Sequence, residues 1–198
     1  MNRIPLWLKI AYSAWVAVWV PFYWDWYGPQ NFLWFCDLGN FVLAAALWME
    51  SPLLFSWQAV SLLAVQSAWT VDLLGKVVFG IHGIGGSEYM FDPAIPLHVR
   101  LLSLFHAVTP VLMLWGIRRF GYDRRAWIAQ SVTAWVILPV CFLLFGPDKN
   151  LNWVWGPFDR PQAVVAPWVY FMACMAVYPV VLYWPTHAIL SRWVRGAN

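Results

Sequence analysis

The chain has 198 residues, 62% of them hydrophobic and 11% charged, with a formal net charge of +3. A soluble domain carries roughly 45–50% apolar and about 25% charged residues, so this composition excludes a water-covered globule and requires lipid as the solvent. The dispersed positive charge contains no basic block, which excludes nucleic acid as a partner.

A helix needs about 20 mostly apolar residues to cross the hydrocarbon core, and six such runs follow one another. The first, 4–22, starts behind Arg3 with Lys9 inside it. It runs into Pro21, Phe22, Tyr23 and Trp24 without the small-residue cleavage site of a signal peptide, so it is read as a retained helix. Tyr27-Gly28-Pro29 breaks the chain before a second run at 31–49, and Glu50-Ser51-Pro52 breaks it again before the third and longest, 53–79. A glycine-rich connection, 80–96, leads to the fourth run, 97–117. Arg118, Arg119, Arg124 and Arg125 mark the turn before the fifth, 126–145. A second long connection, bounded by Gly146-Pro147-Asp148 and Asp159-Arg160-Pro161, precedes the sixth, 164–189. The expected fold is all-α: a single transmembrane domain over 1–198 built as a six-helix bundle. Seventeen Trp and eight Tyr fit its two interfaces. Cys36, Cys141 and Cys174 lie inside apolar runs in odd number and do not form a disulfide framework.

Six spans place both termini on one side, with Arg3, Lys9, Arg118, Arg119, Arg124, Arg125, Arg192 and Arg195. The other side holds Lys76, Arg100, Lys149 and Arg160. Eight basic residues against four orient the termini to the cytoplasm and the two long connections to the outside of a cell membrane.

Ionisable residues within membrane helices are costly and mark function by default. Cys36 lies ~8 Å along the second helix from its outer end, Asp72 roughly 10 Å below the outer end of the third, and His106 about 13 Å down the fourth. Arg100 lies above His106. Cys36, Asp37 and Asn40 share one helix face through three- and four-residue spacing, and Arg100, Ser103 and His106 step by three along another. The expectation is one polar site in the outer half of the bundle. A Cys beside a His can act as a thiolate nucleophile, which at this depth suits hydrolysis or transfer of a lipid acyl group. In the bland reading Cys36 is a small core hydrophobe, Asp72 pairs with Lys76 on its own helix, Asp37 pairs with Arg100 across helices, and His106 is a packed, hydrogen-bonded residue. The connection containing Glu88 is expected to be a mobile lid, and Asn152 and Trp153 of the second connection are candidates for headgroup binding. Neither a metal nor any other cofactor is expected.

Leu33-Trp34-Phe35-Cys36-Asp37-Leu38 resembles the Cys-Asp element of YwaF-like bacterial integral membrane proteins. These are distantly related to the androgen-induced family of intramembrane lipid hydrolases and to its acyltransferase relatives. Leu104-Phe105-His106 resembles that family's histidine element, Asn150-Leu151-Asn152-Trp153 its Asn-rich loop, and Ala166-Pro167-Trp168 its Gly-Pro-Trp element. Trp34 stands where the family has a His two residues before the Cys. The chain is also similar to bacterial proteins known only as membrane-associated. The resemblance implies Cys36 as nucleophile, His106 as general base, and Asp37, Asn40 or Asp72 orienting the imidazole. Asn40, Arg100, Ser103, Glu88, Asn152 and Trp153 then contact substrate, a membrane lipid. Two rival classes stand beside this one. One is a metal-dependent lipid hydrolase using His106 and His187. The other is a non-enzymatic binding, transport or assembly module with a buried Asp/His/Arg site, though no pair of broken helices in matching halves is legible. A homo-oligomer or a membrane-protein partner stays open.

Overall fold

The computed structural model describes residues 3–158 and 160–193; Asp159 of the second connection and Arg195 of the basic count lie outside them. Every regular element among the described residues is helical. The α-helices are α1 (Leu6–Tyr27), α2 (Phe35–Met49), α3 (Pro52–Phe79), α4 (Leu97–Leu102), α5 (Phe105–Phe120), α6 (Ala126–Leu144), α7 (Pro167–Val177) and α8 (Trp184–Trp193). Short 3-10 turns occupy Pro29–Leu33, Glu88–Phe91 and Leu151–Trp153, and a π segment, Tyr178–Tyr183, joins α7 to α8.

Among the described residues, four helical spans are long and apolar enough to cross a membrane: Pro52–Phe79, Leu97–Phe120, Ala126–Leu144 and Pro167–Trp193. The two earlier runs differ from expectation for physical reasons. α1 is 22 residues long and continues through Pro21 to Tyr27, but it is built largely of Trp and Tyr, which favour interfaces over hydrocarbon. α2 has 15 residues, about 22 Å at 1.5 Å each, which is short of the roughly 30 Å core. Its expected first turn is instead the 3-10 segment after Gly28.

α3 is the hub, packed against α2, α5, α6 and α8. Small residues set the closest approaches, as they do between membrane helices. A side chain at Gly39 would run into Leu62 and Gln58, and one at Gly116 into the Phe55 ring. The α2–α3 turn is capped by Glu50 in the left-handed conformation, by Ser51 Oγ accepting from the Leu54 amide at 3.4 Å, and by Pro52 at the helix start. α1 joins through an aromatic cluster in which Trp19 and Tyr23 pack with Val99 and Phe105.

Two spans that the sequence presents as continuous are irregular and each contains a proline. Pro110 has no N–H to give the His106 carbonyl four residues back. That carbonyl takes the Thr70 hydroxyl of α3 instead, at 3.3 Å, and the helix breaks just upstream at Ser103–Leu104. Pro179 likewise orphans the Met175 carbonyl, which receives the Trp135 indole N–H at 2.9 Å, while Trp127 Nε1 donates to the Pro179 carbonyl at 3.0 Å. The freed carbonyls are thus satisfied by neighbouring helices, the condition for irregular backbone in lipid.

Candidate functional site

The polar residues gather at the end of the bundle that carries the two long connections. They form two groups. The first is centred on the start of α2. Asn152, folded under the bundle by the second connection, accepts the Phe35 amide on Oδ1 at 2.9 Å and donates from Nδ2 to the Leu33 carbonyl at 2.8 Å. It thereby caps α2 from 117 residues away. The next amides, of Asp37 and Leu38, both go to the Trp34 carbonyl, at 3.0 and 2.9 Å. Asp37 is buried and accepts from Asn31 Nδ2 at 2.5 Å. Asn40 donates to the Cys36 carbonyl at 3.3 Å and accepts from the Tyr12 hydroxyl at 3.0 Å.

Facing this turn is the α4–α5 break. Regular helix would send the Ala107 amide to the Ser103 carbonyl, but it bonds Leu104 O at 3.0 Å. The Ser103 carbonyl takes the His106 amide at 3.1 Å and has a second lone pair for the imidazole, whose Nδ1 lies 2.8 Å from it. A carbonyl can only accept, so Nδ1 carries the proton and Nε2 presents a lone pair. The ring is clamped by stacking on Phe105 at 4.0 Å and Trp69 at 4.7 Å between centroids. The orienting group of His106 is thus a main-chain carbonyl, and none of Asp37, Asn40 or Asp72 fills that role in this structure. Among the described residues no hydrogen bond joins His106 to Cys36. The two stand on adjoining walls. Cys36 packs in the cluster that contains Phe105, and it lines a narrow gap with Asn40, Gln58, Gln66 and Thr109, one turn beyond His106.

The second group is centred on Asp72. Gly85 and Gly86 both have positive φ, which glycine adopts without strain. The turn they make aims the Ile84 and Gly85 amides at Asp72 Oδ1, each at 2.8 Å. His82 Nδ1 lies 2.8 Å from Oδ2, and Ser87 Oγ donates to it at 2.5 Å. Asp72 therefore anchors the first connection to α3 rather than joining Cys36 and His106. Lys76 does not pair with it and donates to the Gly80 carbonyl at 3.0 Å. Arg100 does not pair with Asp37; its Nη1 donates to the Met90 carbonyl at 3.0 Å, a second tether of the same connection. Glu88 is exposed and takes the Gly86 amide at 2.6 Å. Metal-ligand atoms of Asp72, His82 and Glu88 lie within 4.8 Å of one another, the residues best placed to hold a cation. His187, by contrast, meets the Tyr122 hydroxyl at 2.7 Å at the opposite end, between α5 and α8, far along the chain path from His106.

Between the two groups lies a residue that sequence reasoning passed over. Tyr89, carried by the 3-10 turn of the first connection, reaches down beside Trp69, with rings 6.3 Å apart. Burial holds its phenol well above the ordinary range. Ser103 Oγ is 2.5 Å from the Tyr23 hydroxyl. Tyr23, Tyr27 and Tyr89 read as interfacial aromatics in the sequence, and no spacing signal distinguishes them. Trp153 packs on Phe158 at 5.2 Å, away from this set. Comparison with protein-family models, with curated proteins and with solved structures finds no match to this chain.

Proposed function

We propose that the chain is a six-span protein of the cell membrane with cytoplasmic termini, and that it hydrolyses or transfers the acyl group of a membrane lipid at Cys36. What carries the reading is the first turn of α2. It is a helix start that carries a thiol against the cluster containing Phe105, the residue next to an imidazole whose tautomer leaves Nε2 as a base. His106 takes the thiol proton, and the sulfur attacks the ester carbonyl carbon. The tetrahedral oxyanion collapses to a thioester as the alcohol leaves with the proton from His106. Water, or the hydroxyl of an acceptor lipid, then gives its proton to His106 and displaces the thiolate. YwaF-like proteins and the lipid hydrolases related to them supply the resemblance that agrees with this chemistry.

The test uses the protein in lipid nanodiscs and p-nitrophenyl decanoate as acyl donor. Mass spectrometry should find a decanoyl adduct confined to Cys36 and absent from Cys36→Ala. His106→Ala should slow its formation about 10²–10⁴-fold, the range of general-base catalysis. An adduct elsewhere, or full speed without His106, overturns the reading. One observation favours a second reading, a binding module without turnover: the thiol and imidazole are not hydrogen-bonded to each other. Saturable lipid binding with no adduct would select it.

A further inference from the structure

We infer that Gln66 is a catalytic residue of this site, donating a side-chain N–H as a hydrogen bond to the acyl oxygen that becomes the oxyanion when Cys36 attacks. The inference rests on the acyl-transfer reading above and adds the donor that reading lacks.

Thiolate attack forms the sulfur–carbon bond and moves the carbonyl π electrons onto oxygen. A donor fixed where that charge appears is usually the largest single contribution to such reactions. At the head of α2 three amides are already committed: the Phe35 N–H to Asn152, and the Asp37 and Leu38 N–H groups to the Trp34 carbonyl. The facing helices are therefore the main source of donors, and α3 supplies one. Seven buried side-chain nitrogen or oxygen atoms among the described residues have no hydrogen-bond partner. Of these, Gln66 Nε2 alone belongs to a residue lining the narrow gap beside Cys36.

Helix register puts the thiol and this amide at one level. α2 and α3 run antiparallel from the turn at Glu50–Ser51, and a side chain at Gly39 would run into Leu62 where they touch. Cys36 lies three residues outward of Gly39 and Gln66 four residues outward of Leu62, about 4.5 and 6 Å at 1.5 Å per residue.

Gln66 is 1% exposed and is held with its donor end free. The Thr109 hydroxyl of α5 donates to Oε1 at 2.7 Å and shares its proton with the Phe105 carbonyl at 2.8 Å. An amide accepts at oxygen and donates at nitrogen, so this anchor fixes the side chain without engaging Nε2. The Trp69 indole N–H, three residues on along α3, is also unpartnered, but its ring is fixed by stacking on His106 and does not line the gap. An unpaired amide within a membrane bundle is costly, and one kept beside a thiol is available to a reaction there.

The gap suits a single oxygen rather than a whole lipid. It leaves no room for a water molecule to compete for the amide. Cys36 is half-buried at its edge, so an ester carbon held at the sulfur turns its oxygen inward while the acyl chain and the alcohol stay outside. Admitting that oxygen moves one wall by about an atom's width, and Met113, unbranched and adaptable, is the wall that yields. In this division of labour His106 carries the thiol proton and Gln66 transfers none.

The experiment compares wild type, Gln66→Met, Thr109→Val and His106→Ala in nanodiscs with two Cys36 reagents, each adduct being located by mass spectrometry. p-Nitrophenyl decanoate reacts through an oxyanion, whereas iodoacetamide alkylates the same sulfur by direct displacement and forms none. Gln66→Met keeps the length of the side chain without its N–H and should slow acylation about 10²–10³-fold, the cost of losing one oxyanion donor. The acylation rate constant at saturating ester should fall with little change in half-saturation, while alkylation stays within a few-fold of wild type. Thr109→Val frees the anchored end of the amide and should slow acylation about 10-fold, the worth of one hydrogen bond, again sparing alkylation. His106→Ala should slow both reactions, because both need the thiolate. Acylation of Gln66→Met at the wild-type rate overturns the role of Gln66 and leaves the Cys36 reaction standing. An equal loss with both reagents overturns it too, since it would mean a structural role. Should Gln66→Met fail to assemble, Thr109→Val decides: acylation unchanged, or lost equally with alkylation, overturns the inference. Wild type that is never acylated overturns the acyl-transfer reading itself, and the inference with it.

Discussion

The two long connections lie at the same end of the bundle, yet they are built by opposite rules. Residues 80–96 are tied down by a handful of polar contacts to one carboxylate and one guanidinium, and they leave Ile81, Ile84 and Phe91 exposed. Residues 146–163 are knitted into the core: Leu151, Asn152 and Val154 are buried, and the Tyr178 hydroxyl donates to the Asn152 carbonyl at 2.6 Å. Asn150 adds a ring of bonds to Trp155, Gly156 and Phe158. Gly156 packs so closely on the backbone of Arg160 and Gln162 that no side chain fits there. The difference teaches that polarity alone does not mark a loop as a binding surface. In the second connection the side-chain amides replace missing backbone partners, and in the first the backbone amides fix the connection to α3.

The largest effect should come from breaking the rigid member. Asn152→Ala leaves the Phe35 amide and the Leu33 carbonyl buried without partners. At about 1–3 kcal/mol for each unsatisfied group, unfolding in detergent should shift by about 2–4 kcal/mol and acylation of Cys36 should fall with it. A variant as stable as wild type would mean that α2 is capped by other means. Asp72→Ala breaks the other member. Hydrogen exchange of residues 82–87 should accelerate about 10–100-fold, matching bonds to a charged group worth roughly 1.5–3 kcal/mol. Exchange in 146–163 should be unchanged; equal acceleration in both connections would erase the contrast between them.

The smallest effect tests the opposite end, where neither connection reaches. Glu50 accepts from Lys9 Nζ at 2.8 Å and from the Ile4 amide at 3.0 Å. The Lys9 bond first, then the Ile4 amide, hold its carboxyl below the ordinary range. A carboxyl lowered by folding adds stability above its unfolded value and loses it as pH falls through the folded one. Thermal stability should therefore drop slightly as pH falls below the usual glutamate range, and Glu50→Gln should flatten that part of the profile. The exchange rates of both connections should be indifferent to this change. An identical pH profile in Glu50→Gln would remove the ion pair from the account.

Much of the fold was legible. Composition identified lipid as solvent, and the positions of Pro52, Gly80, Pro96 and Gly121 mark where helices begin or end. The candidate site was legible only in part. Cys36, Asp37, Asn40, Ser103 and His106 stood out as candidates because they are polar side chains inside apolar runs. Asp72 stood out equally and serves the first connection, since depth along a helix does not say toward which neighbour a side chain points.

By itself, then, the sequence determined that this chain is an all-helical protein of the membrane and which buried polar atoms must find partners. The reason is thermodynamic: apolar runs of that length have no stable place in water, and unpaired polar groups have none in hydrocarbon. Only the tertiary structure decided the pairing. It gave the Ser103 carbonyl to His106 because the helix breaks between α4 and α5, and the Asn152 amide to the head of α2 because the second connection folds inward. It gave Asp72 to the first connection because the turn at Gly85 and Gly86 aims the Ile84 and Gly85 amides at it. Each outcome depends on which of several chemically suitable partners is brought within about 3 Å, the range in which a hydrogen bond forms, and that is a property of the packed bundle.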